Sequence, residues 1–311
     1  MRTPFALSFF LLLLFLTGTG NCDQKTITST NFVVHYDSSA ERYAHQVSQT
    51  AEKSLSTITG SGTIGHKPED KISITLTGTR EEFRELTSGV LPDWSAAAAM
   101  PGNRIILSPL PGMKLAIDRI LAHEIVHIIL HDAAGGRFVP RWFHEGCAEI
   151  FSGQWGIRGR IYMVWKVSQG NLMAFEDIEQ VFSARDADVT LAYDQSMLAV
   201  KQLISDYGNG ILPHILEGLR DGQDFDQAFE TAAGLTLDGF EREYLNAVGK
   251  AYGKRTLFFT LIPSTWTFIL ILVVIVYIVK KRRNKRLMSQ WEIVEAAENI
   301  INFRPDPPDG D

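Results

Sequence analysis

The feature that most constrains this chain is His123-Glu124-Ile125-Val126-His127, set inside a strongly apolar run from Leu121 to His131. In an α-helix, residues i and i+4 lie one turn apart on the same face. Two imidazoles at that spacing can hold one tetrahedral zinc ion, and the carboxylate beside the first can poise a water. The apolar pattern predicts one long helix from Lys114 to Asp132, stopped by Gly135 and Gly136.

A zinc site that does chemistry takes three protein ligands and keeps a fourth position open. His131 continues the i+4 series, but it stands about 12 Å along the axis from His123, beyond the reach of one ion. A third His six positions after the second would complete another known arrangement, but Ala133 stands there. His144 can offer a nitrogen, though no motif supports it. Glu145 is the best choice. It opens the run Glu145-Gly146-Cys147-Ala148-Glu149, where a second helix is predicted to start. Glu145 and Glu149 share a face of that helix.

His-Glu-Ile-Val-His followed by Pro-Arg-Trp-Phe-His-Glu-Gly-Cys-Ala-Glu (residues 140–149) resembles the gluzincin metallopeptidases, and most of all their small peptidase MA-like domains. The resemblance extends over about residues 30–250. It also takes in Phe-Val-Val-His-Tyr (32–36), the segment around Trp94, and Leu-Ala-Tyr-Asp-Gln-Ser (191–196). It implies that Glu145 is the third zinc ligand beside His123 and His127, and that Glu149 holds the second ring nitrogen of His123. Ligand histidines usually have such an outer partner. It further implies that Glu124 is the general base of peptide hydrolysis and that a Tyr or His from the downstream helices, here Tyr193, donates to the developing oxyanion. The strand Arg104–Leu107 resembles the edge strand on which such enzymes lay an extended substrate. The rival expectation is a domain that binds peptides, or senses them, without cleaving them. That all four of His123, Glu124, His127 and Glu145 are intact favours an enzyme.

The two ends read as targeting segments. Arg2, the apolar run Phe5 to Leu16 and Thr-Gly-Thr-Gly form a signal-peptide pattern over residues 1–20. Residues 256–279 carry no charge and are followed at once by Lys280, Lys281, Arg282, Arg283, Lys285 and Arg286. This pattern predicts a transmembrane helix over 256–279 and a cytoplasmic tail over 280–311. The expectation is a single-pass membrane protein with an extracytoplasmic domain over 21–255, acting on a protein or peptide substrate. The chain carries a formal net charge of −6, and its densest basic cluster adjoins the apolar run, which argues against nucleic acid as a partner. The two cysteines, Cys22 and Cys147, make no disulfide framework. Thr19 and Asn21 do not fit a lipid-attachment pattern at Cys22.

Between the ends, the expected fold is α+β. Strands are predicted at Asn31–Tyr36, Lys71–Leu76, Ala96–Met100 and Arg104–Leu107, with a helix at Ala40–Thr57. This zincin-like half, about 21–185, combines a small mixed sheet with the long active-site helix. An all-helical half, 186–250, follows, with helices at Leu191–Tyr207, Gly210–Leu219, Phe225–Ala233 and Leu237–Val248.

Overall fold

A computed structural model describes residues 24–89, 91, 95–108, 113–153, 157–184, 188–253 and 266–283. The chain is mostly helical with one small sheet. Strands β1 (Gln24–Thr28), β2 (Phe32–Asp37), β3 (Ile72–Leu76), β4 (Ala97–Met100) and β5 (Arg104–Leu107) pair in the order β1-β2-β3-β5-β4. The two outer pairings are antiparallel and the two inner ones parallel. β2 and β3 alternate buried and half-buried residues, as the period of a strand with one covered face requires. Helix α1 (Glu41–Gly60) covers that face with Ala44, Val47, Ala51, Leu55 and Ile58. Helix α2 (Arg80–Leu86) is started by the Thr79 side chain, which accepts from the Glu82 N–H.

Strand β1 was not foreseen. Its sequence, Gln-Lys-Thr-Ile-Thr, is polar and largely exposed, because it sits at one margin of the sheet and buries almost nothing. The opposite margin differs from expectation too. β5 lies between β3 and β4, so the outer strand beside the long helix is β4 and not Arg104–Leu107. Pro101, Gly102 and Asn103 turn the chain between them. Gly102 and Asn103 both have positive φ (80° and 53°), which Gly and Asn tolerate best.

The chain divides into two compact units. The first holds the sheet, α1, α2, α3 (Met113–Ala133), α4 (Arg141–Ser152), α6 (Phe175–Ala184), α7 (Val189–Tyr207), α8 (Ile211–Arg220), α9 (Phe225–Ala233) and α10 (Leu237–Tyr252) as far as Tyr244. The second holds α5 (Ile157–Ser168), the end of α10 and a helix over 266–283.

Helix α3 is apolar around most of its circumference and is buried accordingly, with Leu121, Ile125, Val126, Ile129 and Leu130 at 0 % exposure. It packs against α1, α4, α8 and the β4–β5 hairpin. Its end is set by Gly135 and Gly136, both left-handed (φ 63° and 72°), and by Arg220, which donates to the carbonyls of Ala133 and Asp132. Helix α4 starts at Arg141, four residues earlier than the Glu145 start expected, because Trp142 and Phe143 are themselves buried helical residues.

The expected transmembrane helix is corrected. Among the described residues no helix is long and apolar enough to cross a membrane. Of 256–279, the first ten residues lie outside the described set, and the helix that is described, 266–283, is exposed along its whole length and ends in four basic residues. Its uncharged part, 266–279, spans about 21 Å at the standard helical rise, short of the ~30 Å hydrocarbon core of a bilayer. The expected signal segment, Cys22, Trp94 and the tail beyond Arg283 lie outside the described residues.

Candidate functional site

Two helices build the site. Helix α3 carries His123, Glu124 and His127; helix α4, which packs against α3, carries His144, Glu145 and Glu149. Helix α4 is held by an aromatic cluster at its first turn. Trp142 is 1 % exposed and lies face to face with Phe175, ring centroids 4.1 Å apart and planes at 4°. Phe143, Phe225 and Phe240 surround it. A second constraint lies one residue beyond Glu145. A Cβ on Gly146 would stand 2.3 Å from the Ser196 carbonyl oxygen of α7, so only glycine lets α4 and α7 approach this closely. That approach brings Tyr193 of α7 to His123, with ring centroids 6.4 Å apart.

Glu145 Oε2 lies 3.4 Å from His123 Nε2 and 3.5 Å from His127 Nε2, with the three side chains 13–18 % exposed. One ligand atom from each residue falls within 4.8 Å of the others; no second such group occurs among the described residues. These separations are too long for good hydrogen bonds. Ligand atoms each 2.0–2.1 Å from a tetrahedral zinc stand roughly 3.4 Å apart. Glu145 Oε2 is buried and has no hydrogen-bond partner among the described residues. A buried carboxylate oxygen left so is costly unless a cation shares the space. The donor set therefore fits a metal ion.

The remaining expected residues are placed as follows. Glu149 Oε1 is 3.6 Å from His123 Nδ1, on the ring edge opposite the Glu145 contact. Glu124 is 9 % exposed, and its Oε2 accepts a 2.6 Å hydrogen bond from the backbone N–H of Ala99 on β4, tying the carboxylate to the outer strand. Tyr193 packs against Phe182 as well as His123. His131 is exposed on α3 and is not one of the three converging residues, and Arg104 is exposed and donates to the Pro101 carbonyl. Cys147 is a buried free thiol whose pKa burial pushes up, which disfavours the reactive thiolate.

His144 occupies a place the sequence reading did not assign. Its Nδ1 lies 2.6 Å from Nδ1 of His127, and it is not among the three converging ligand atoms. The only signal in the sequence was its position directly before Glu145; a contact made across 17 residues has no local signature.

Burial and the neighbouring charges together set the electrostatics. Burial alone would lower the His123 imidazole, but Glu145, Glu124 and Glu149 around it raise it to about 9. Burial alone would raise Glu145, but His127 and His123 hold its carboxyl well below the usual range. Burial, then the charge of His127, pushes His144 down to about 3, so this imidazole stays neutral. Burial and the negative charges of Glu145, Glu149 and Glu124 push the Tyr193 phenol up, keeping its proton on.

Known proteins place the chain. Over 145 residues it is 28 % identical to the uncharacterized protein YhcO of Bacillus subtilis (strain 168), a match that covers 43 % of each chain, so it spans less than half the length of that relative. The model of the family described as the peptidase MA superfamily matches residues 50–250, a span that includes α3, α4 and α7 with every residue of the site. The chain belongs to the peptidase MA superfamily.

Proposed function

We propose that this chain is a zinc-dependent peptidase that hydrolyses peptide bonds, with His123, His127 and Glu145 as the metal ligands. The observation that carries this reading is the convergence of Glu145 Oε2 on the two Nε2 atoms at 3.4 and 3.5 Å, buried and without a hydrogen bond of its own. Zinc bound there would supply Lewis acidity, lowering the pKa of a water and polarising the scissile carbonyl.

The chain's own residues supply the rest. Glu124 takes a proton from the attacking water and returns it to the leaving amine nitrogen as the C–N bond breaks. Its hydrogen bond from Ala99 orients the carboxylate and leaves its other oxygen for this work. Tyr193, protonated and beside His123, is a donor for the negative charge that develops on the carbonyl oxygen. Glu149, its Oε1 3.6 Å from His123 Nδ1, acts on that ring through its charge and stands where an outer partner of a ligand histidine would.

Glu124→Gln in the full chain is the test. It removes the base but none of the proposed ligands. Peptide turnover should fall ~10²- to 10⁴-fold while zinc content stays at the wild-type level. Unchanged turnover would contradict the role given to Glu124. Peptide binding without turnover in the wild type would favour a non-catalytic domain instead.

A further inference from the structure

We propose that His144 is a positioning residue: its imidazole accepts a hydrogen bond from Nδ1–H of His127 and so holds the Nε2 of that ring on the metal. The inference rests on the zinc reading above and deepens it.

The His127 and His144 planes are only 11° apart, with centroids separated by 4.6 Å. Parallel rings in face-to-face contact keep about 3.5 Å between their faces, whereas the two Nδ1 atoms are 2.6 Å apart. The rings therefore meet edge to edge, nearly in one plane. That is the arrangement in which one nitrogen's N–H points along the other's lone pair.

The direction of the bond follows from proton counting. Two N–H groups cannot face each other at this distance, and two lone pairs would repel, so the pair shares one proton. When Nε2 of His127 is a ligand, the proton of its neutral imidazole must sit on Nδ1. His127 is then the donor and His144 Nδ1 the acceptor. His144 keeps its own proton on Nε2 and carries no charge. This also removes His144 as a rival third ligand, because the nitrogen it would use is spent on His127.

The same helix thus supplies one ligand and both ring partners: Glu145 for the metal, Glu149 behind His123, and His144 behind His127. The two partners are unlike. A carboxylate faces the Nδ1 of His123 and a neutral ring faces that of His127, so His127 is held in place without a further negative charge entering the site. Outer partners of this kind govern metal affinity through the orientation and basicity of the ligand they hold.

The test compares full-length wild type, His144→Phe and His144→Asn by zinc titration against a competing chelator, with the unfolding midpoint of each metal-free variant recorded. Phe keeps the planar ring and removes the acceptor; Asn restores an acceptor oxygen. The Phe variant should bind zinc ~10- to 100-fold more weakly, with Asn within a few-fold of wild type, at similar unfolding midpoints. In zinc-loaded wild type labelled with ¹⁵N-histidine, a scalar coupling should connect the two Nδ1 nuclei. Wild-type affinity in the Phe variant, or an Asn variant as weak as Phe, would overturn the role of His144 alone. A wild-type chain that takes up no zinc would overturn the zinc reading and this inference together.

Discussion

Helices α3 and α4 contribute to the same site by different means. Helix α3 sets His123, Glu124 and His127 through the repeat of the helix itself, and its apolar surround keeps it in the interior. Helix α4 sets Glu145 through contacts far away in the chain: the aromatic cluster around Trp142 and the close approach of Gly146 to Ser196. One half of the site is thus fixed by local geometry and the other by tertiary packing. Disturbing the packing of α4 should damage the site without touching a ligand, whereas mild changes in the core of α3 should not.

The sharpest contrast sets Trp142→Ala against Ile125→Val. Removing Trp142 empties the middle of a fully buried aromatic cluster and should cost ~3–5 kcal/mol, whereas the loss of one methylene at Ile125 should cost ~0.5–1.5 kcal/mol. Denaturant unfolding checks both values. Zinc affinity should fall in the first variant and hold in the second. If both retain wild-type affinity, α4 does not depend on its aromatic anchor as described.

Gly146→Ala should have a smaller effect. The added methyl meets the Ser196 backbone at 2.3 Å as well as the Val200 side chain at 2.7 Å, so α4 and α7 must part, at a cost of ~1–3 kcal/mol. Because Tyr193 rides on α7, peptide turnover should drop more than zinc affinity. Equal loss of both would place the damage at Glu145 alone.

Much of α3 was legible in the sequence because a helix writes its face into spacing: His123 and His127 four apart, apolar residues around them. The place of Glu145 beside the two histidines was foreshadowed by the Glu-Gly-Cys-Ala-Glu run, whose glycine has a physical reason in the Ser196 contact. His144 and the Ala99–Glu124 bond were not legible, since each joins residues whose separation carries no period. Strand β1 escaped because a polar outer strand lacks alternation. The Arg104–Leu107 strand was read as the margin of the sheet because order in the chain does not reveal order in the sheet; β4 precedes β5 yet lies outside it. The apolar run after residue 256 misled for a related reason: hydropathy counts apolar residues, but the described helix carries only fourteen uncharged ones before its basic end.

A further effect concerns protons. In the metal-free protein His123 is raised to about 9 from an ordinary 6.5. Its ion pairing therefore stabilises the metal-free fold fully below about pH 6.5, and that stabilisation is lost as pH rises through about 9. Zinc binding through this ring nitrogen, as proposed, would have to displace the proton. Apparent zinc affinity should climb by about tenfold per pH unit from neutrality towards pH 9, as measured by chelator competition. A flat profile would mean that His123 is already deprotonated, and that the surrounding carboxylates do not act on it as described.

In the proposed site, α4 completes with Glu145 a metal-binding set that α3 alone cannot form. The direct measurement is the zinc content of the full-length protein after dialysis, wild type against Glu145→Ala. One zinc per wild-type chain is expected, and little or none in the variant. Full occupancy in Glu145→Ala, or no zinc in the wild type, would contradict it.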